Sequence, residues 1–167
     1  MEPVREYITR IGGDYGPDVL KIMADAGEPV TDEYIAGFLG VKVTVVRTVL
    51  NRFHFWGIVD YNKERDPDTG WYTYTWFIRW GRLKESLLEE IGEREKEIME
   101  KLDELEKYMF FQCPSGHERV TFEVAMELNF TCSVCGSPLQ PVNVEEEKKE
   151  LQEKLREIAK IKAIIRQ

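Results

Sequence analysis

All three cysteines of this 167-residue chain fall between positions 113 and 135. Few other features narrow the choice of fold as much. Cys132-Ser-Val-Cys135-Gly136 is a complete metal knuckle: a Cys-x2-Cys turn sets two sulfurs about one metal diameter apart, and the glycine supports the tight turn. Cys113-Pro-Ser-Gly116-His117 is half of a second one. Eighteen residues separate Cys113 from Cys132, which suits a small ribbon whose knuckles meet across short strands. An odd number of clustered cysteines speaks against a disulfide framework and for a local metal or thiol site in a reducing compartment. Position 116 is glycine, so His117 is the natural fourth ligand beside Cys113, Cys132 and Cys135, one position late. The alternative is a metal-free ribbon held by Phe111, Phe122, Met126, Leu128 and Phe130.

Two Glu/Lys/Leu-rich runs flank this segment. Leu83, Leu87, Ile91, Ile98, Leu102, Leu105 and Met109 keep a near-heptad seam, and Leu151, Leu155, Ile158, Ile161 and Ile165 keep another. As helices they would span about 40 Å and about 33 Å. If they pair, they form an antiparallel hairpin with the cysteine module at its tip; the alternative for each is a solvated helix.

The first 80 residues are aromatic and turn-rich. Val4, Tyr7, Ile8 and Ile11 share a helical face, and Pro17 after Gly16 suits the first turn of a new helix carrying Val19, Leu20, Ile22, Met23 and Ala26. Thr31 reads as an N-cap, with Asp32 and Glu33 complementing the positive end of the next helix. Ile35, Ala36, Phe38 and Leu39 form its apolar stripe, and Gly40 ends it. A further helix follows over 43–55, with Val43, Val46, Leu50 and Phe53 toward the core and Lys42, Thr44, Arg47, Thr48, Asn51 and Arg52 on the other side. That spacing is helix-turn-helix. From 58 the period changes to two: 58–63 and 71–78 are β-branched and aromatic, and "ERDPDTG" between them is a turn. Helices, short strand and long hairpin predict a winged helix-turn-helix, with the hairpin as wing and its tip near Arg65 to Gly70.

The fold expected is therefore mainly α with small β. It comprises a winged helix over 1–80, a long coiled-coil-like helix over 81–109, a zinc-ribbon-like β module over 110–142 and a C-terminal helix over 143–167. The net charge of −8 argues against a protein that simply coats DNA. The one locally basic stretch, 42–56, holds Lys42, Arg47 and Arg52 with no acid. No apolar run reaches membrane-spanning length and the N-terminus has no signal core, so a cytoplasmic protein is expected. No phosphate loop, activated nucleophile or catalytic set around His54 or the second histidine is present, which predicts a non-enzyme.

The run "CPSGHERVTFEVAMELNFTCSVCG" resembles the zinc ribbon of the archaeal transcription factor E family, relatives of the large alpha subunit of eukaryotic transcription factor IIE. "TFEVAMELNF" matches the family core closely, and the order of winged helix, long helix and ribbon matches over nearly the whole chain. The sequence departs from the family at Gly116, where a second cysteine is usual. The resemblance implies a general initiation factor that binds the RNA polymerase clamp and stalk region and stabilises opened promoter DNA, alongside TATA-binding protein, transcription factor B and a second transcription factor E subunit. It implies a Zn2+ cofactor at the ribbon. It also sets the wing near the non-template strand at the upstream edge of the bubble, where Trp71 and Tyr72 would stack on bases and Arg65 would meet a phosphate, core packing being the alternative for Trp71. Arg47, Asn51 and Arg52 are the recognition-helix candidates; the simpler reading of these three is a solvated face, and that of Tyr74, Trp76 and Ile78 is core packing. Two other functions remain open from sequence: a winged-helix repressor dimerising through its coiled coil, and a thiol- or metal-sensing regulator.

Overall fold

The computed structural model describes residues 2–166. It is mainly helical with two small antiparallel sheets, and the chain forms two compact units. The first runs to Ile91 and takes in the end of the last helix; the second is Gly92–Ala163.

The first unit is a winged helix. Helix α1 (Glu2–Gly12) buries Tyr7 and Ile11, and α2 (Gly16–Ala26) buries Val19, Leu20 and Met23. Both contact α4 (Val43–Phe55), whose Val46, Leu50 and Phe53 are fully buried. Two glycines permit this close approach: a Cβ on Gly12 would stand 2.4 Å from Cζ of Phe53, and one on Gly16 3.1 Å from the same atom. Helix α3 (Asp32–Leu39) starts at Thr31, whose hydroxyl accepts the Tyr34 N–H, and ends at Gly40 in the left-handed region. Val and Thr are poor helix formers, so α4 draws its stability from those buried contacts. Strands β1 (Val59–Arg65) and β2 (Tyr72–Ile78) form the wing hairpin. Val30 adds a single antiparallel bridge to Trp76.

Five apolar placements differ from the sequence reading. Phe38 is 67% exposed and stacks on Tyr34 instead of lining the core; α3 has only eight residues, and Ile35 and Ala36 already fill its inner face. Val49, left out of the expected stripe, is buried. Tyr74 lies largely outside the core against Tyr61, because only Trp76 on that face lies deep enough in the hairpin to meet Val30. Met109 and Met126 are exposed: the long helix α5 (Trp80–Lys107) ends before Met109, and Met126 is on the outer side of a short helix. Leu83 and Leu87, at the start of α5, complete the winged-helix core, and there the Tyr7 hydroxyl hydrogen-bonds Ser86 at 2.5 Å.

In the second unit, Leu102 and Leu105 of α5 pack with Leu151 of α7 (Glu145–Arg166), alongside Ile98, Val144 and Leu155. Glu95 pairs with Lys162, and Lys101 with Glu147 at 2.9 Å, so the two runs meet antiparallel. The cysteine module between them has β3 (Phe110–Gln112) in the centre of its sheet, flanked by β4 (Arg119–Thr121) and β5 (Gln140–Pro141). The middle of "TFEVAMELNF" is not strand but a helical turn and a half, α6 (Phe122–Glu127). Its fully buried Ala125 sits under the two knuckles with Leu139, and Phe111, Phe122 and Phe130 close on one another beside it. No helix among the described residues is long and apolar enough to cross a membrane.

Candidate metal centre and nucleic-acid face

Strand β3 delivers Cys113 into the small core, where it is 1% exposed. The chain then turns on Gly116, at φ +76, with the Gly116 N–H donating to the Cys113 carbonyl at 2.9 Å. In the second knuckle Gly136, at φ +70, donates to the Cys132 carbonyl at 2.9 Å. Each knuckle thus has one left-handed glycine, but the first closes over one residue fewer. The fourth side chain therefore comes from the residue after the glycine, His117, and not from the one before it.

The result is a compact four-membered cluster. The donor atoms of Cys113, His117, Cys132 and Cys135 all lie within 4.8 Å of one another. Cys113 Sγ is 3.5 Å from Cys135 Sγ and 3.6 Å from His117 Nδ1, and Cys132 Sγ is 3.9 Å from that nitrogen. Zinc–sulfur and zinc–nitrogen bonds of about 2.3 and 2.0–2.1 Å give tetrahedron edges of about 3.8 Å (S to S) and about 3.6 Å (S to N). These three separations are those edges within a few tenths of an ångström, while the donor set as a whole extends to 4.8 Å, so the residues fit a tetrahedral divalent metal with a small closure of the cluster. The electrostatics of the set are uneven: the Ser137 hydroxyl and backbone N–H bring the Cys135 thiol down to about 6, while burial pushes Cys132 up to about 11, so a metal would have to displace the Cys132 proton on binding. The Cys135 and Cys113 thiols raise the His117 pKa.

The nucleic-acid candidates separate into two groups. On α4, Arg47 is not a free recognition side chain. Its Nε donates to Asp32 and its Nη2 to Glu33 at 3.3 Å. Asp32 is buried; burial alone would raise its pKa, but the hydrogen bonds from its neighbour Glu33 and from Arg47 outweigh that and lower it. The sequence reading took Asp32 only as a helix-end charge and missed this clamp. Asn51 is exposed and lines a groove of about 620 Å³ between α4 and the wing. Arg52 lies over Gly13, where a Cβ would meet its Nη1 at 2.7 Å.

On the wing, the pairing register sets Tyr61 opposite Trp76, Lys63 opposite Tyr74 and Arg65 opposite Tyr72. Directly opposed residues share a sheet face, so one face of the hairpin consists of three aromatic-containing pairs in succession. Tyr61, Tyr72, Tyr74 and Trp76 line the same groove as Arg47 and Asn51. Lys63 Nζ sits 4.0 Å from the Tyr72 ring centre, a cation–π contact. The other face carries Asp60, Asn62 and Glu64. Trp71 stands beyond the ladder, 79% exposed, and Arg65 Nε reaches back to the Gly70 carbonyl at 3.4 Å. Tyr61 and Lys63 were missed from sequence, although their period of two against Tyr72 and Tyr74 was readable once the register was known.

A winged helix and a Cys3His ribbon on one chain define a class, the winged-helix factors of transcription that carry a ribbon module. The family model for the TFIIE alpha subunit matches residues 2–107. Transcription factor E of Methanocaldococcus jannaschii is 38% identical over 155 residues, which is 92% of this chain and 89% of the relative. Transcription factor E of Saccharolobus solfataricus is 39% identical over 150 residues, 87% of this chain and 82% of the relative. The chain belongs to the TFIIE alpha subunit family, whose archaeal members are transcription factor E.

Proposed function

We propose that this protein is a basal transcription initiation factor that docks on RNA polymerase and helps promoter DNA open or stay open. The observation that carries this reading is the contrast between its two DNA-facing elements. The recognition-helix arginine is held by Asp32 and Glu33, which weakens α4 as a reader of duplex operators. The wing instead offers a row of aromatic rings with interleaved cations, the chemistry that takes unpaired bases by stacking and their phosphates by charge. Tyr72, Tyr74 and Tyr61 would receive bases of the strand displaced at the upstream edge of the bubble, with Lys63, Arg65 and Asn51 along the backbone and Trp71 at the entrance. The acidic balance of the chain suits a factor held near DNA by polymerase, with TATA-binding protein and transcription factor B in the same complex.

The ribbon would hold one Zn2+ through Cys113, His117, Cys132 and Cys135. The ion would supply a structural staple, joining two knuckles that β3 and Ala125 already bring near each other.

The test is a reconstituted initiation assay with polymerase, TATA-binding protein and transcription factor B, reading strand opening by single-strand-specific base modification. The protein should raise opening and bind polymerase stably while binding naked duplex weakly. Replacing Tyr72 and Tyr74 together by alanine should lower opening about 30-fold or more, at about 1–3 kcal/mol per lost stack, with polymerase binding retained. Tight binding to a duplex operator without polymerase would instead identify a repressor. Zinc content should be one per chain.

A further inference from the structure

The ribbon raises a mechanical problem. His117 is exposed and sits on a first knuckle that closes one residue early, so nothing in that turn alone aims its ring at Cys132 and Cys135. The residue after it bridges the two knuckles. The main-chain carbonyl of Glu118 accepts the Cys113 N–H at 3.0 Å, closing the loop that runs from the first ligand past His117. Its side chain crosses to the other knuckle. One carboxylate oxygen accepts the Ser133 N–H at 2.7 Å and the other accepts the Ser133 hydroxyl at 3.0 Å. Ser133 directly follows Cys132. Glu118 is therefore the one side chain among those described that joins the loop of His117 to the turn of Cys132 and Cys135 by hydrogen bonds at both carboxylate oxygens.

We propose that Glu118 is the positioning residue of this metal site: a strut that sets the distance between the two knuckles and so brings His117 Nδ1 to the fourth corner. The inference rests on the metal reading of the cluster. Its physical basis is preorganisation. A metal that must itself gather two separate turns loses binding free energy to ordering them, whereas a bidentate carboxylate holds them in place beforehand. Partners outside the ligand set commonly change metal affinity by about 10- to 100-fold. Glu118 bonds the backbone next to one ligand and continues the chain from another, and it also bears on the Cys132 thiol itself, whose pKa burial raises first and Glu118 raises further.

The test measures zinc affinity of the full chain by competition with a chromophoric chelator, and the ligand-field and thiolate charge-transfer spectrum of the Co2+ form. Glu118→Ala should bind zinc at least about 10-fold more weakly, with an altered Co2+ spectrum showing that the fourth donor has become loose. Glu118→Gln can still accept the Ser133 N–H and donate to its hydroxyl, so it should recover affinity to within about threefold and restore the parental spectrum. Unchanged affinity in Glu118→Ala overturns the strut. Equal losses in Glu118→Ala and Glu118→Gln also overturn it, since the effect would then be the carboxylate's charge and not its span. A parent chain that binds no zinc overturns the metal reading itself, a result separate from either of these.

Discussion

Glu147, in the first turn of α7, joins three elements of the second unit, and removing it tests whether that unit is held by electrostatics as well as by leucines. One carboxylate oxygen meets Lys101 Nζ of α5 at 2.9 Å, and the other meets Arg119 Nη1 of β4 at 3.0 Å. Arg119 in turn lies 4.7 Å from the ring centre of Phe110 on β3. Lys101 is 55% exposed, so its pair is well screened and contributes a few tenths of a kcal/mol, about 0.3. Arg119 and Glu147 are 31% and 27% exposed, and their pair belongs nearer the upper end, about 1 kcal/mol. Glu147→Gln should then cost about 1–1.5 kcal/mol near neutral pH, which moves a urea midpoint by about 0.5 M at a slope of about 2–3 kcal/mol/M. The pH dependence fixes the mechanism. Lys101 first, then Arg119 against an opposing effect of burial, lower the Glu147 pKa below its ordinary value. A carboxylate with a depressed folded pKa contributes its stability fully above the unfolded value of about 4.3 and loses it as pH falls through the folded value. The gap between parent and Glu147→Gln, followed by far-UV ellipticity in urea, should therefore be open at pH 7 and close below about pH 4. A gap that stays constant across that range, or none at pH 7, refutes the assignment.

Two further perturbations address the first unit. Gly12→Ala would set a methyl 2.4 Å from Cζ of the fully buried Phe53, so it should destabilise the winged helix by about 1–3 kcal/mol; a melt followed by tryptophan fluorescence reads this, and Phe53→Leu in the same chain should recover part of the loss, with strict additivity counting against the clash. Asp32→Asn together with Glu33→Gln would release Arg47 from both of its carboxylates. The double change should lower stability by about 1 kcal/mol and, by adding one free guanidinium to α4, steepen the log–log salt dependence of duplex binding by about 0.9; an unchanged slope would mean that Arg47 does not face DNA even when free.

Most of the winged helix was legible because its signals are local. Helix α4 has the expected bounds, since periodicity, Gly40 before it and Gly57 after it agree. Thr31 caps and Gly40 terminates α3 because cap chemistry depends on three or four neighbouring residues. The misreadings are of another kind. Phe38 falls on the apolar stripe of an eight-residue helix, and periodicity cannot say how wide a stripe so short a helix buries. The Asp32–Arg47 clamp and the Glu118–Ser133 strut each join residues fifteen positions apart, and a charge or hydroxyl finds such a partner only through the packing of the elements between.

The first knuckle shows how a local reading can single out a residue that the fold brings to the cluster without giving the reason. From sequence, Gly116 stands where a cysteine is expected and His117 is a late substitute. In the structure Gly116 is the required residue: at φ +76 a cysteine there would be strained. The turn closes from Gly116 to Cys113, one residue sooner than from Gly136 to Cys132. That shorter closure places position 117 beside the sulfurs, and an imidazole, longer than a thiol, spans the remaining gap. It follows that Gly116→Cys, although it restores the usual family pattern, should not rebuild a four-cysteine site. The test is the number of thiolate ligands in the Co2+ form: three in Gly116→Cys, as in the parent, supports this account of the turn, and four would refute it.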